Sequence, residues 1–352
     1  MKDGSNTTEG VTYQDIPDSG LPFHRGDSSY RAKRITELVD VKDKTLLDLG
    51  CSVGTISATL ASFGAKVTGV DYDEEAIATA NKYYGPVASF QVQDITLEYI
   101  QGLPHYDVVI WLSQFMWLAK QKGIDYALDC LWELSKKCDT LVFETAGMDG
   151  SAPLGIGQEV VIQILLKNTV FQDIVDTGPW TGGVHMSMNW PSRNVFVCSK
   201  PFLGSETELS KIELLKRGEV KKTYNVNEGS VGREILQREI DFLNELNGIV
   251  PTILSTDENS ITMTYEGPRT KFIPERDAQI ILDWLRIKFL IHRDIRPENI
   301  LWNGKNIVLI DLAWMIRVGE DTNYSHDIGG KYKSPYGFND EYSLRKVQKE
   351  LL

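Results

Sequence analysis

The chain has 352 residues, 42% of them hydrophobic and 24% charged, which is enough for two domains, each with its own core. Its formal net charge of −12 disfavours nonspecific adhesion to nucleic acid or to an anionic membrane, so no DNA partner is expected. Cys51, Cys130, Cys138 and Cys198 form no CxxC pair, the first twenty residues carry no apolar signal segment, and no run long enough for a transmembrane helix exists; a cytoplasmic protein with reduced thiols is expected.

In chain order, residues 1–20 are polar and read as a flexible N-terminus. From Phe23 the text FHRGDSSYRAKRITELV predicts a helix capped by Asp27 or Ser28, with Tyr30, Ile35 and Leu38 on one side. It would set Arg25, Arg31 and Arg34 at the mouth of whatever follows, or form a solvated basic helix. Thr45 to Gly54, TLLDLGCSVG, is an apolar run ending in an acid and a glycine-rich turn ahead of the helical stretch ISATLASFG. The next apolar run, AKVTGVD, ends at Asp71. A glycine turn between strand and helix lets backbone approach a ligand, and an acid closing the next strand can hold ribose hydroxyls; dinucleotide binders and methyltransferases share this pattern. Further strands are expected in YDVVIWLSQFMWL (Tyr106 to Leu118), in TLVFET, and near NVFVCSK, with helical patterns between them. The alternation predicts a doubly wound α/β domain over residues 21–200.

DLGCSVG resembles the first motif of class I S-adenosylmethionine (SAM) methyltransferases, DxGxGxG, with Ser52 in place of the middle glycine. The resemblance implies a Rossmann-like SAM methyltransferase domain in which Asp48, Gly50, Ser52 and Gly54 form the donor-binding turn. It further makes Asp71 the ribose acid and Asp94 the contact to the adenine amine, with Arg31 added to the cofactor-binding set. At Ser52 a serine takes a place that uses glycine's conformational freedom. Gln114, Trp117, Glu144 and His185 include no convincing general base, so methyl transfer is expected to rest on alignment of donor and acceptor. Trp111, Phe115, Trp117 and Trp180 would either stack on a sugar or base, or belong to the core.

Beyond a boundary near Pro201 to Ser205, KIELLKRGEVKKTYN reads as a hairpin with Arg217-Gly218 at its turn. The helical stretch REILQREIDFLNELNG follows, with Ile235, Ile240, Leu243 and Leu246 as a buried stripe, and then the strand ITMTYEG. The most chemically explicit segment is Ile291 to Trp314, IHRDIRPENILWNGKNIVLIDLAW: a polar loop, two apolar runs split by the turn Asn303-Gly304-Lys305-Asn306, and a carboxylate at Asp311. The hairpin folds Asp294, Asn299 and Asp311 back onto one another, and phosphoryl transfer uses such a set of two carboxylates and an amide.

HRDIRPEN resembles the catalytic loop of the protein-kinase-like fold, and Asp311-Leu312-Ala313 stands where that fold has its metal-binding DFG. By that resemblance Asp294 orients the acceptor hydroxyl, Asn299 and Asp311 hold Mg²⁺, and Arg296 replaces the usual lysine facing the γ-phosphate of ATP. A strand lysine paired with a helix glutamate would hold the other phosphates. Lys221 and Lys222 compete for the first role; Lys222 is chosen because strand alternation puts Val220 on its face, and Glu239 is its partner, ahead of Glu234. The usual GxGxxG is absent, only Gly204-Ser205 preceding the first strand, and 41 residues follow Asp311 (352 − 311). A compact, abbreviated α+β bilobal kinase-like domain over residues 201–352 is therefore expected, suited to a small-molecule or carbohydrate acceptor. The tail DIGGKYKSPYGFNDEY would cover that acceptor, with Gly329 and Gly330 as hinges and Lys331 near phosphate, or be a plain surface loop.

The two halves in this order resemble the WbdD-type bifunctional methyltransferase/kinases, which phosphorylate and then methylate the non-reducing end of a bacterial O-antigen polysaccharide. That resemblance implies ATP, Mg²⁺ and SAM as cofactors and a glycan or other small hydroxylated acceptor. It also implies polysaccharide-assembly proteins as partners, through which any contact with the inner membrane would be made, because the heptads of that family's coiled coil are not seen here. The alternative is a methyltransferase of tRNA or a metabolite whose kinase-like half is a non-catalytic binding module.

Overall fold

The computed structural model describes residues 11–145, 158–180, 193–226, 231–246, 248–320, 330–335 and 337–351. The chain divides into two compact units, one of Met1–Leu165 with Thr169–Pro201 and one of Leu166–Asn168 with Phe202–Leu352.

The first unit opens with a short parallel pair, β1 (Thr12–Gln14) and β2 (Phe23–Arg25). Residues 11–20, read from the sequence as flexible, are tied down instead. Thr12 and Gln14 are buried, Ile16 packs with Val53 and Ala76, and the Thr55 hydroxyl donates to the Asp15 carbonyl at 2.6 Å. These anchors join side chains to distant backbone and leave no hydrophobic period to read. Residues 1–10 lie outside the described residues. In α1 (Ser28–Leu38) the inward face carries Arg31, Ala32 and Ile35, with Tyr30 and Leu38 only half-buried. Asp27 precedes this helix without capping it, its carboxylate being bound to Arg25 at 2.5 Å.

Strands and helices then alternate: β3 (Thr45–Leu49), α2 (Thr55–Ser62), β4 (Lys66–Asp71), α3 (Glu74–Tyr84), β5 (Ser89–Val92), α4 (Leu97–Gly102), β6 (Tyr106–Leu112), α5 (Phe115–Lys122), α6 (Ile124–Ser135), β7 (Cys138–Glu144), α7 (Gln158–Asn168), β8 (Phe171–Pro179) and β9 (Asn194–Pro201). The loop GMDGSAPLGIG before α7 lies outside the described residues. The strands form one sheet in the order β5-β4-β3-β6-β7-β9-β8, with only β9 running against its neighbours. Apolar runs such as LLDL and VVIWL suit strands covered on both faces. Leu46 and Ile110 meet Ile35 and Leu60 on one side, while Leu47, Trp111 and Phe143 meet Leu131 on the other. Strand order reverses between β3 and β6, and open α/β sheets bind ligands in the crevice at that point. All four cysteines are buried and free.

The second unit contains β10 (Ser205–Glu206), β11 (Ser210–Leu214), β12 (Glu219–Tyr224), α8 (Gly232–Glu245), β13 (Ile253–Asp257), β14 (Ser260–Thr264), α9 (Glu275–Ile287), β15 (Leu290–Ile291), β16 (Ile300–Trp302), β17 (Ile307–Leu309), β18 (Ile316–Arg317) and α10 (Asp340–Glu350). Its antiparallel sheet runs β10-β11-β12-β14-β13, and two ladders, β16 with β17 and β15 with β18, follow. Both sequence-predicted turns form. Gly218 takes φ +79° between β11 and β12, and Asn303 Oδ1 accepts from the amides of Lys305 and Asn306 at 3.1 and 2.9 Å around Gly304. The buried face of α8 is Ile235, Leu236, Glu239, Phe242 and Leu243, with Ile240 only half-buried. A carboxylate thus sits inside an apolar stripe. Among the described residues no helix is long and apolar enough to cross a membrane. The first unit is a Rossmann-like doubly wound α/β domain, and the second is an α+β unit with a five-stranded antiparallel sheet.

Candidate active sites

In the first unit, the turn after β3 is pinned to β4 by the amides of Gly50 and Cys51, which both donate to the Val70 carbonyl at 2.8 and 3.0 Å. Gly50 has φ +82°, and a Cβ there would lie 2.3 Å from Gln114 Cγ. Ser52 adopts φ +52°, so the left-handed conformation is kept without glycine, and its amide donates to Asp71 Oδ2 at 2.9 Å. The other Asp71 oxygen accepts from the Asp73 amide at 3.1 Å. Asp71 is held rigidly at the end of β4, and burial raises its pKa. Asp48, Gly50, Ser52, Asp71, Asp94 and Arg31 border a single cleft. Gly54 stands apart from them as the left-handed N-cap of α2, where a Cβ would meet the Phe90 ring at 2.5 Å.

Asp48 is buried and accepts from Ser57 Oγ at 2.6 Å; burial pushes its carboxyl up to about 6 against the opposing effects of Ser57 and Arg31. A carboxyl raised in the folded state supports the fold fully below its unfolded pKa of 3.8 and loses that support as pH rises through about 6. Asp48→Asn, which cannot ionise, is therefore expected to stabilise the first unit at pH 7.5 by roughly 1–3 kcal/mol, with little gain at pH 4. Melting curves at the two pH values check this, and binding of the methyl donor should weaken in the same variant.

Glu144, at the end of β7, is fully buried. It accepts from Ser113 Oγ and Trp180 Nε1 at 2.6 Å each, from Arg193 at 3.3 Å, and from Arg31. Burial alone would raise its pKa, but Arg31, Arg25 and Arg193 outweigh it and hold the group at about 2. A carboxylate held there is a poor acceptor for a proton from nitrogen or hydroxyl at neutral pH. Gln114 and Trp117 offer no base, and His185 lies outside the described residues. Arg31 is not at an open mouth: it is 3% exposed, paired with Glu144 and stacked at 4.7 Å on Trp180. Its partner lies 113 residues away, so the helical pattern alone could not show that the arginine faces inward. Arg34 is paired with Glu37 at the surface, at 3.1 Å. Trp111 and Phe115 are core residues, edge-on to Phe143, whereas Trp117 is 39% exposed beside the cleft.

In the second unit Lys222, on β12, donates to Glu239 Oε2 at 2.9 Å and to Asp311 Oδ1 at 2.8 Å. Burial favours the neutral amine, but the two carboxylates more than offset it and keep the ammonium charged. The competing residues go elsewhere, Lys221 to Asp257 at 3.5 Å and Glu234 to Arg238 at 3.9 Å. Glu239 also accepts from the Leu312 amide at 3.1 Å, which fixes α8 against the backbone just past Asp311. Asp311 itself sits at φ +62°, a left-handed conformation that costs a non-glycine residue about 1–3 kcal/mol.

Asn299 donates from Nδ2 to the Asp294 carbonyl at 3.0 Å and to Asp294 Oδ2 at 2.8 Å. Both partners can only accept, so the amide orientation is fixed and its oxygen is turned away from Asp294. Arg296 Nη2 lies 3.2 Å from Asp294 Oδ2 and is 43% exposed. The loop and the Asp311 stem are braced together by His292 Nε2 with the Ile310 carbonyl at 3.2 Å, and by the Ile310 amide on the Asn299 carbonyl at 3.1 Å. Asp294 and Asn299 are thus tied through Ile310 to the stem of Asp311, whose carboxylate bonds to Lys222 and, through it, to Glu239.

One residue of this arrangement was not legible beforehand. Asp340, the first residue of α10, accepts from the His292 amide at 2.6 Å and the Arg293 amide at 3.2 Å. The run FNDEY signals a helix start, with Asn339 capping Tyr342 at 2.9 Å, but nothing in it names the distant loop. The tail reading needs correction: Lys331 pairs with Glu350 and lies over the Tyr332 ring, so it is not directed at a phosphate. Gly329 lies outside the described residues, while Gly330 begins a short 3₁₀ turn. Between β10 and β11 a glycine-free turn is closed by the Thr207 amide on the Ser210 carbonyl at 2.9 Å.

Residues 46–137 match a family model described as a methyltransferase domain, and the first unit carries that domain. The chain is also similar to the WbdD-type bifunctional methyltransferase/kinases. It is 30% identical over 161 residues to the O-antigen chain terminator bifunctional methyltransferase/kinase WbdD of Escherichia coli, a match covering 42% of this chain and 23% of that protein. The matched part is thus less than a quarter of the length of that relative. Ubiquinone biosynthesis O-methyltransferase of Coxiella burnetii is 39% identical over 144 residues, covering 40% of this chain and 60% of that one. A crystal structure of WbdD aligns over 86% of this chain and 79% of its own, at 22% identity and a TM-score of 0.46.

Proposed function

We propose that the chain is a bifunctional transferase that phosphorylates a hydroxyl of a glycan terminus or similar small acceptor with ATP and methylates the product with SAM. The observation that carries the reading is the bonded set Lys222, Glu239 and Asp311 with Asp294 and Asn299 beside it, in a chain that also holds a methyltransferase domain. A mere binding module has no use for two carboxylates converging on one buried lysine, which disfavours the alternative of a non-catalytic second half.

In this reading Asp294 orients the acceptor hydroxyl, Arg296 faces the γ-phosphate, and Lys222, held by Glu239, takes the remaining phosphate charge. Asn299 Oδ1 and the Asp311 oxygen not bonded to Lys222 are hard oxygen donors that fit Mg²⁺, and Asp311 is 30% exposed at that position. The ion, when bound, neutralises phosphate charge. In the first unit Asp71 would hold the ribose hydroxyls, Asp94 the adenine amine, and the backbone from Asp48 to Gly54 the rest of the donor. A phosphate monoester is anionic at neutral pH and needs no base for methylation, which agrees with a Glu144 held at about 2. The name of the Escherichia coli relative, an O-antigen chain terminator, supports a polysaccharide end as acceptor. Polysaccharide-assembly proteins as partners, in the cytoplasm or at the inner-membrane surface, belong to the same proposal.

Incubating the protein with oligosaccharide acceptors, γ-labelled ATP, Mg²⁺ and methyl-labelled SAM tests the proposal. Both labels are expected in one product, and omission of ATP is expected to remove the methyl label too. Methylation of untreated acceptor without ATP would separate the two activities and sink the tandem scheme.

A further inference from the structure

Arg238 precedes Glu239 on α8, and its Nη1 donates to the Met315 carbonyl at 3.1 Å and to Glu320 Oε1 at 2.8 Å. The other Glu320 oxygen accepts from the Arg317 amide at 2.9 Å, and the Glu320 amide donates back to the Arg317 carbonyl at 3.0 Å. Glu320 therefore closes a turn directly after β18 and presents its carboxylate to α8. Two helical turns further along α8, Glu245 receives the Arg317 guanidinium at 2.6 Å. The helix thus offers an arginine and then a carboxylate, and the segment past Asp311 offers their complements, Glu320 and Arg317. Between the two pairs, Glu239 accepts the Leu312 amide.

Partly exposed ion pairs add little to stability. Two pairs of opposite polarity, seven residues apart on one helix face, instead fix register: sliding or turning α8 would bring like charges together. We infer that Arg238 and Glu320 are positioning residues for phosphoryl transfer. They hold α8 where Glu239 reaches Lys222, and so act on bound nucleotide only through that lysine. The inference rests on the kinase reading of the second unit.

The full-length chain and its Arg238→Ala, Glu320→Ala and conservative Arg238→Lys forms would be compared for kcat and KM with MgATP, melting temperature and SAM binding. Each alanine variant is expected to lose about tenfold in kcat and gain several-fold in KM for MgATP. Melting temperature should move by no more than a few degrees, SAM binding should be unchanged, and Arg238→Lys, whose ammonium can still donate to Glu320 and the Met315 carbonyl, should keep most of the turnover. Alanine variants with wild-type constants, or a lysine variant no better than the alanine one, would overturn the inference. A wild-type chain that neither binds nor turns over MgATP removes the kinase reading, and this inference with it.

Discussion

Asp294→Ala is expected to lower phosphoryl transfer to the acceptor by about 10³-fold, within the range of roughly 10²–10⁴ for loss of a positioned acid–base group. Nucleotide affinity should survive, because Lys222, Glu239 and Asp311 are bonded to one another and not to Asp294. Asn299 should also stay in place: it loses its bond to Asp294 Oδ2 but keeps the one to the Asp294 carbonyl at 3.0 Å. Binding of MgATP by calorimetry should therefore change by no more than about threefold, well under the tenfold that corresponds to 1.4 kcal/mol. Methyl incorporation into untreated acceptor should fall in step with phosphate, and an acceptor phosphorylated beforehand should restore it. If methylation stays lost on that pre-phosphorylated acceptor, the methyl group goes elsewhere. If more than a tenth of phosphate transfer remains, Asp294 does not face the acceptor.

What the sequence made legible were features with a local period. Lys222 was separable from Lys221 because strand alternation places Val220 with one and Glu219 with the other, and the bonds to Glu239 and Asp311 follow that choice. Glu239 was named through the kinase-like resemblance; that it lies within the buried face of α8, where a charge needs a partner, is what the structure adds. Asn303-Gly304 announced the turn that folds Asp311 back towards the loop. The glycine turn after β3 was equally readable, and Ser52 fits it because the conformation, not the absence of a side chain, is what the turn requires. Illegible were the groups whose partners lie far along the chain. Arg31 read either as a cation at the mouth of the donor cleft or as a solvated charge, and neither reading named Glu144 as its buried partner; residues 11–20 looked loose until Thr55 bonded to them. No periodicity within a window of a dozen residues encodes such pairings.

Asp340→Ala is the second large loss expected, and it separates the scaffold of the second unit from its chemistry. The carboxylate satisfies two consecutive amides, of His292 and Arg293, immediately before Asp294. His292 and Arg293 are both buried, and Arg293 is held at φ +71°, a conformation it would leave if released. Leaving two amides without an acceptor is expected to cost about 2–4 kcal/mol. That loss should appear as a lower transition temperature for the second unit, while donor binding by the first is unaffected. A shift of the loop by even ~1 Å would move Asp294 off the acceptor and lower kcat by about 10²-fold. Asp340→Asn should be nearly as damaging, since one carboxylate oxygen becomes an NH₂ facing an N–H. Calorimetry and turnover on the same preparations distinguish two arrangements. If stability falls but turnover of the folded fraction does not, the loop is held by the braces from His292 to Ile310 and from Ile310 to Asn299 alone. If both fall together, α10 is part of the catalytic framework, and a helix that contributes no group to the chemistry decides where the acceptor-facing carboxylate stands.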